Sequence, residues 1–202
     1  MKVEERLAVF KEESYRNAVR LFQDAALLYC RASYPSSFAL AVTALEEIGK
    51  VHVVDRACDM LCMNPDGAET IYDMYFKSSW LTDHKHKQRQ ALVDAIGKEP
   101  SRSDAVWKFV DSGGLEEARQ QALYVELQGK DIKTPARITR EKAFAILNRC
   151  HEAFAGSGDL AFSGFTANST KKSEWLAKDT IQAVLTAFNE CKAHNTLFEP
   201  TR

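Results

Sequence analysis

The 202 residues carry 27 Lys and Arg against 28 Asp and Glu, a formal net charge of -1, so no overall field draws the chain to nucleic acid or an anionic membrane. At 22.7 kDa the chain is long enough to bury a core without disulfides or a metal. A composition that is 45% hydrophobic and 27% charged is ordinary for a globular protein, and 9 Gly and 5 Pro are too few for a turn-dense β architecture, so an α-rich domain is expected.

In chain order, apolar positions at Tyr15, Ala18, Phe22, Ala25 and Tyr29 recur three and four apart and predict a long amphipathic helix over residues 3–31. Tyr34-Pro35-Ser36-Ser37 breaks it, with the serines available as caps, and a second helix is expected at about 36–62. A third periodic segment runs from about 68 to 96, closed by Gly97 and Pro100. A short helix from 103, a Ser112-Gly113-Gly114 break and a helix from Leu115 to Tyr124 follow, then an irregular connection over 125–138. Thr139 caps a helix through Phe154 with Ala143, Ile146, Leu147 and Cys150 on one face. Residues 156–173, rich in Gly, Ser, Thr and Asn, read as a mobile loop. A last helix, about 173–193, sets Ile181, Val184, Leu185, Phe188 and Cys191 along one stripe. Nothing marks a second domain, so residues 1–202 are expected to form one all-α unit with its core over about 3–154.

Five scattered cysteines argue for reduced thiols, and neither a signal peptide nor a run of about 18 apolar residues occurs. A soluble cytoplasmic protein with no membrane contact is the expectation.

Two segments concentrate charge. On the second helix, Glu46 and Glu47 lie four and three residues before Lys50, so the three heads meet on one face that is apolar above and below them. One reading is a narrow wet stripe with a salt bridge worth a few tenths of a kcal/mol. The other is a partly buried carboxylate-ammonium cluster, costly to desolvate and therefore more often found where function maintains it.

The second segment is Asp83-His84-Lys85-His86-Lys87. His84 and Lys87 share a face, Asp83 is in register to pair with Lys87, and His86 points elsewhere. A solvated basic turn is one reading; an imidazole that transfers protons beside ammonium groups holding a phosphate oxygen is the other. Zinc is disfavoured, because His-x-His lacks a second ligand pair and Cys58 and Cys62 read as buried thiols. No metal or cofactor is expected. No dinucleotide or Walker glycine pattern and no Gly-x-Ser-x-Gly elbow is present.

Taken together, three segments resemble the AbiV-type abortive-infection proteins, a bacterial branch of the HEPN (higher eukaryotes and prokaryotes nucleotide-binding) helical superfamily. They are Ser37 to Lys50, which contains the family's "A-x-E-E-x-G-K" helix as Ala44-Leu45-Glu46-Glu47-Ile48-Gly49-Lys50; Asp83-His84-Lys85-His86-Lys87, similar to its His-x-x-Lys element; and Arg119 to Glu126, similar to its "R/K-x-x-x-L-Y-V-D" segment, followed by Pro135 and a further helix. The resemblance covers about residues 15–150. It implies a HEPN-like helical bundle with extra C-terminal helices, commonly a homodimer with a ribonuclease cleft at the interface. It also implies a role in stopping phage propagation and contact with a phage or host trigger.

The superfamily's usual signature, Arg and His separated by four to six residues, is absent; Lys77, with six residues between it and His84, is a lysine version at best. Equivalent chemistry would fall to Glu47, Lys50, His84 and Lys87 as catalytic groups, with Glu46, Lys85, Arg119 and Tyr124 supporting or binding RNA phosphate. Two functions are carried forward: a metal-independent endoribonuclease that blocks translation in infected cells, and a non-catalytic helical module that binds a phage or translation component.

Overall fold

The computed structural model describes residues 3–77, 81–96, 105–128, 131–162 and 182–194. Helix α1 spans Val3–Cys30, and its predicted stripe, Tyr15, Ala18, Phe22, Ala25 and Tyr29, is completely buried. Helix α2, Tyr34–Met63, starts two residues before the expected boundary; Pro35 lies in its first turn, and Ser36 and Ser37 belong to the helix rather than capping it. Along most of its length α2 is buried on every side, from Phe38 through Val42, Leu45, Ile48 and Val51 to Leu61, which makes it the central helix of the bundle. It packs against α1 and against the helices that follow.

The third segment is not one helix. After a short 3-10 turn, Pro65–Gly67, helix α3 covers only Ala68–Tyr72 and passes into a π-helical turn at Asp73–Lys77. Helix α4, His84–Ile96, then starts afresh. Asp83 makes that start: its carboxylate accepts the Lys85 N–H at 2.9 Å and its carbonyl accepts the Lys87 N–H at 3.2 Å. Asp83 thus caps the helix rather than pairing with the Lys87 ammonium.

Helix α5, Ala105–Asp111, and helix α6, Gly114–Leu123, meet at the predicted glycine break, where Gly113 has φ +83°, a left-handed conformation that L side chains rarely adopt. The expected irregular connection contains a small antiparallel ribbon, β1 (Glu126–Gln128) with β2 (Asp131–Lys133), in register Glu126–Lys133, Leu127–Ile132 and Gln128–Asp131. A salt bridge of 2.7 Å from Lys133 to Glu117 ties the ribbon to α6. After a 3-10 turn at Pro135–Arg137, helix α7 covers Arg140–Phe162 and buries Ala143, Ile146, Leu147 and Cys150, the predicted face. It extends eight residues past the expected end and takes the first part of the predicted loop; the rest of that loop, 163–173, lies outside the described residues.

Residues 182–194 form a further helix, α8. Val184, Phe188 and Cys191 face inward while Leu185 is exposed; Ile181 lies outside the described residues. Phe188 stacks on His151 of α7 at 4.1 Å between ring centroids. The main core joins α1, α2, α4, α6, α7 and α8, with Phe154 edge-on to Tyr15 and Phe22. A smaller cluster, including Leu7, Val54, Cys58, Ile71 and Tyr75, closes the far end of α1 and α2. Cys62 is exposed, against the expectation of a buried thiol, because it lies on the outer side of the last turn of α2 while Cys58 and Leu61 face the core. All five cysteines are free, and no helix of the described residues is long and apolar enough to cross a membrane.

Candidate functional site

The site begins at a missing side chain. Where α2 crosses α4, a Cβ on Gly49 would fall 2.0 Å from the Lys87 carbonyl oxygen, so only glycine lets the two backbones approach this closely. Glu46 lies one turn before Gly49 on α2, and the crossing brings it within reach of the first turns of α4.

Glu46 is the hub. Its side chain is only 5% exposed, yet each carboxylate oxygen has a short contact with α4: Oε2 lies 2.8 Å from Nδ1 of His84 and Oε1 accepts a 2.8 Å hydrogen bond from Nε2 of Gln88. Two cations lie further out, Lys87 Nζ at 3.8 Å from Oε2 and Arg119 Nε at 3.9 Å from Oε1. Burial pulls the Lys87 ammonium below the usual lysine range, with Glu46 acting in the opposite direction.

Helix α6 closes the third side. Arg119 donates two hydrogen bonds to Glu116, Nε to Oε2 at 2.9 Å and Nη2 to Oε1 at 2.7 Å, and Gln120 adds a third at 2.7 Å. Burial works to raise the Glu116 carboxyl, but the bonds from Arg119 and Gln120 outweigh it and hold the group below its usual range. The same Glu116 bond raises the Arg119 guanidinium further.

Within this cluster the His84 side chain is the open one, 44% exposed against 7% for Lys87 and 16% for Arg119. An ionised carboxylate only accepts, so Glu46 favours the tautomer with hydrogen on Nδ1, which turns the lone pair of Nε2 toward solvent. A buried acid behind an exposed imidazole is an arrangement suited to taking up and returning a proton.

Of the residues singled out from sequence, Glu46, His84, Lys87 and Arg119 come together. Glu47 turns to Lys50 on its own helix, at 2.6 Å, so the carboxylate that meets His84 is Glu46. The exposed Lys85 lies along Gly113 at the start of α6, and Tyr124 is exposed at the C-terminal end of that helix. Gln88 and Glu116 were not singled out as site residues. Each had a local signal, Gln88 one turn after His84 and Glu116 one turn before Arg119, but only the helix crossings show what they meet.

Glu46, His84 and Glu116 offer ligand atoms that all lie within 4.8 Å of one another, a donor set of the kind divalent cations use. Both carboxylates already face cations, Lys87 and Arg119, so a metal would compete with built-in positive charge. An apolar cleft of about 500 Å³ lies on the opposite face of α6, lined by Phe38, Leu92, Leu115, Ala118 and Ile146 among others, and includes no member of the Glu46 cluster.

A helical bundle whose central helix carries Glu-Glu-x-Gly-Lys against a helix bearing His-x-x-Lys defines an all-α protein of the HEPN type. The sequence model of the AbiV family (HEPN_AbiV) matches residues 6–155, from the first turns of α1 well into α7, and the chain belongs to that family. No curated protein and no solved structure matches it.

Proposed function

We propose that this protein is a bacterial anti-phage abortive-infection factor acting as a metal-independent endoribonuclease that halts translation in infected cells, with His84 as its acid-base group. Membership of the AbiV family supports the defence role. The observation that carries the chemistry is the solvent-facing imidazole backed at 2.8 Å by a buried carboxylate.

In this reading Nε2 of His84 takes the proton from an RNA 2'-hydroxyl as its oxygen attacks the adjacent phosphorus. The bond to the 5'-oxygen breaks, that oxygen receives a proton from the imidazolium, and the products are a 2',3'-cyclic phosphate and a 5'-hydroxyl. Arg119 and Lys50, both part-exposed, stabilise negative charge on the phosphorane. Lys87 is too buried to bind phosphate and acts by balancing Glu46. Glu47 holds Lys50, while Lys85 and Tyr124 meet the RNA backbone.

Purified protein incubated with total RNA in EDTA should cleave it, and His84→Ala should reduce the rate by about 10²- to 10⁴-fold, the usual worth of a positioned acid-base group. Equal cleavage by the two proteins would remove His84 from the mechanism.

A second reading, a non-catalytic module binding a phage or translation component, is favoured by one feature. Leu123, Tyr124, Val125 and Ile132 expose large apolar side chains together at the end of α6 and on the ribbon. A second copy of the chain in a homodimer, or a trigger protein, would cover them. A partner captured from infected cells through this strip, with no RNA cleavage in EDTA, would establish the second reading over the first.

A further inference from the structure

Gln88 is fully buried, one turn beyond His84 on α4, and both side chains reach the same carboxylate. Its amide is used unevenly. Nε2 donates to Glu46 Oε1 at 2.8 Å, while its own Oε1 is buried and meets no hydrogen-bond partner among the described residues. An unsatisfied buried acceptor is rare, and it calls for a reason why that amide is retained in a helix contact that an apolar residue would fill without an orphaned group.

The orientation of the amide supplies the reason. Turned the other way, its carbonyl would face a carboxylate oxygen, acceptor against acceptor. The ionised Glu46 therefore fixes which way Gln88 points, and Gln88 in return fixes Glu46. Of the four groups around that carboxylate only His84 and Gln88 are within hydrogen-bond distance, one on each oxygen, while Lys87 and Arg119 stand at 3.8 and 3.9 Å. A carboxylate held at one oxygen only would be free to turn about its last side-chain torsion toward either cation, which would lengthen the bond to the imidazole.

We infer that Gln88 is a positioning residue: by anchoring Glu46 Oε1 it reserves Oε2 for His84 Nδ1 and so selects the tautomer that leaves Nε2 as the exposed base. The selection of the tautomer is a property of the folded protein alone. Its consequence for RNA cleavage rests on the proposed function.

The test is nitrogen NMR of histidine-labelled, full-length protein at a pH where His84 is neutral, which distinguishes hydrogen on Nδ1 from hydrogen on Nε2. Wild type should show His84 with its hydrogen on Nδ1. Gln88→Met, close in volume and free of the orphaned carbonyl, should keep the fold by circular dichroism and thermal melting while His84 becomes a mixture of tautomers. Gln88→Asn, polar but too short to reach Glu46, should give the same mixture and serves as the reading if Gln88→Met does not fold. In cleavage assays kcat should fall about tenfold with KM little changed, as expected when a base is misaligned without loss of a binding contact.

An unchanged His84 tautomer in a folded Gln88 variant would overturn the inference. Absence of RNA cleavage by wild type, with the tautomer shift present, would instead remove the ribonuclease reading and leave the role of Gln88 in place.

Discussion

Helix α2 carries two buried ionic contacts about 13 Å apart along its axis, at 1.5 Å per residue, and they differ in kind. Near its C-terminal end Asp55 meets Lys11 of α1 at 3.1 Å, both side chains largely buried. Near its middle Glu46 meets groups from two helices, and one of them, His84, is open to solvent. The first contact pins two helices beside the smaller apolar cluster. The second is a shared network, in which Lys87 and Arg119 face Glu46 while Arg119 also binds Glu116, and it ends in an imidazole at the surface. The contrast teaches that burial of charge alone does not mark a site; a network drawn from several helices with an exposed reactive end does.

Removing each carboxylate's charge is the strongest way to break this contrast. Glu46→Gln should cost about 3–5 kcal/mol in urea denaturation, because it leaves a buried lysine facing a neutral amide, and should abolish RNA cleavage. Asp55→Asn likewise leaves a buried lysine, Lys11, facing a neutral amide and should cost about 3 kcal/mol, but it should leave cleavage intact. Loss of cleavage in both variants would mean that the two contacts are not functionally distinct.

A smaller effect is expected from Gly49→Ala. Overpacking of this kind costs about 1–3 kcal/mol, because the group the added methyl meets is the Lys87 main chain, which cannot turn aside, and the helices must part. Gly67→Ala is the control: there the added methyl would meet only the Asn64 side chain, which turns aside, so its change should stay within about 0.5 kcal/mol. Thermal melting of the two variants makes the comparison.

The smallest effect concerns acid. Glu116 titrates below the ordinary glutamate value of 4.5 in the folded protein. Its contribution to stability is therefore complete above the unfolded value and is lost as pH falls through the lower folded value. Wild type should lose stability more steeply than Glu116→Gln as pH falls below about 4.5, the range set by the unfolded glutamate. Parallel acid limbs in urea titrations would show that the Arg119 and Gln120 bonds add nothing.

Much of this was legible in the sequence wherever one helix face decides the outcome. The stripe from Tyr15 to Tyr29 and the face from Ala143 to Cys150 are buried as their spacing predicts, since a 3.6-residue period directly reports a single packed side. The start of α4 was missed because Asp83 offers two roles at once, partner for an ammonium four residues on or cap for the helix, and periodicity cannot choose between them. The ribbon was missed because three-residue strands are too short to show alternation. At the site, the two charged segments were visible, and the sequence showed that Glu46 and Glu47 share a face with Lys50. Which of the two carboxylates meets His84 depends on the angle at which α2 crosses α4, and that angle belongs to the pair of helices rather than to either one.

Gly49 gives the crossing a further property. Elsewhere in the core the separation between helices follows side-chain volume, so each substitution moves it a little. At Gly49 the separation is a contact between main chains, which every amino acid shares. The spacing between Glu46 and His84 is thereby decoupled from drift in the surrounding core: the packing can be rewritten around it while the distance across which the carboxylate and imidazole meet is kept.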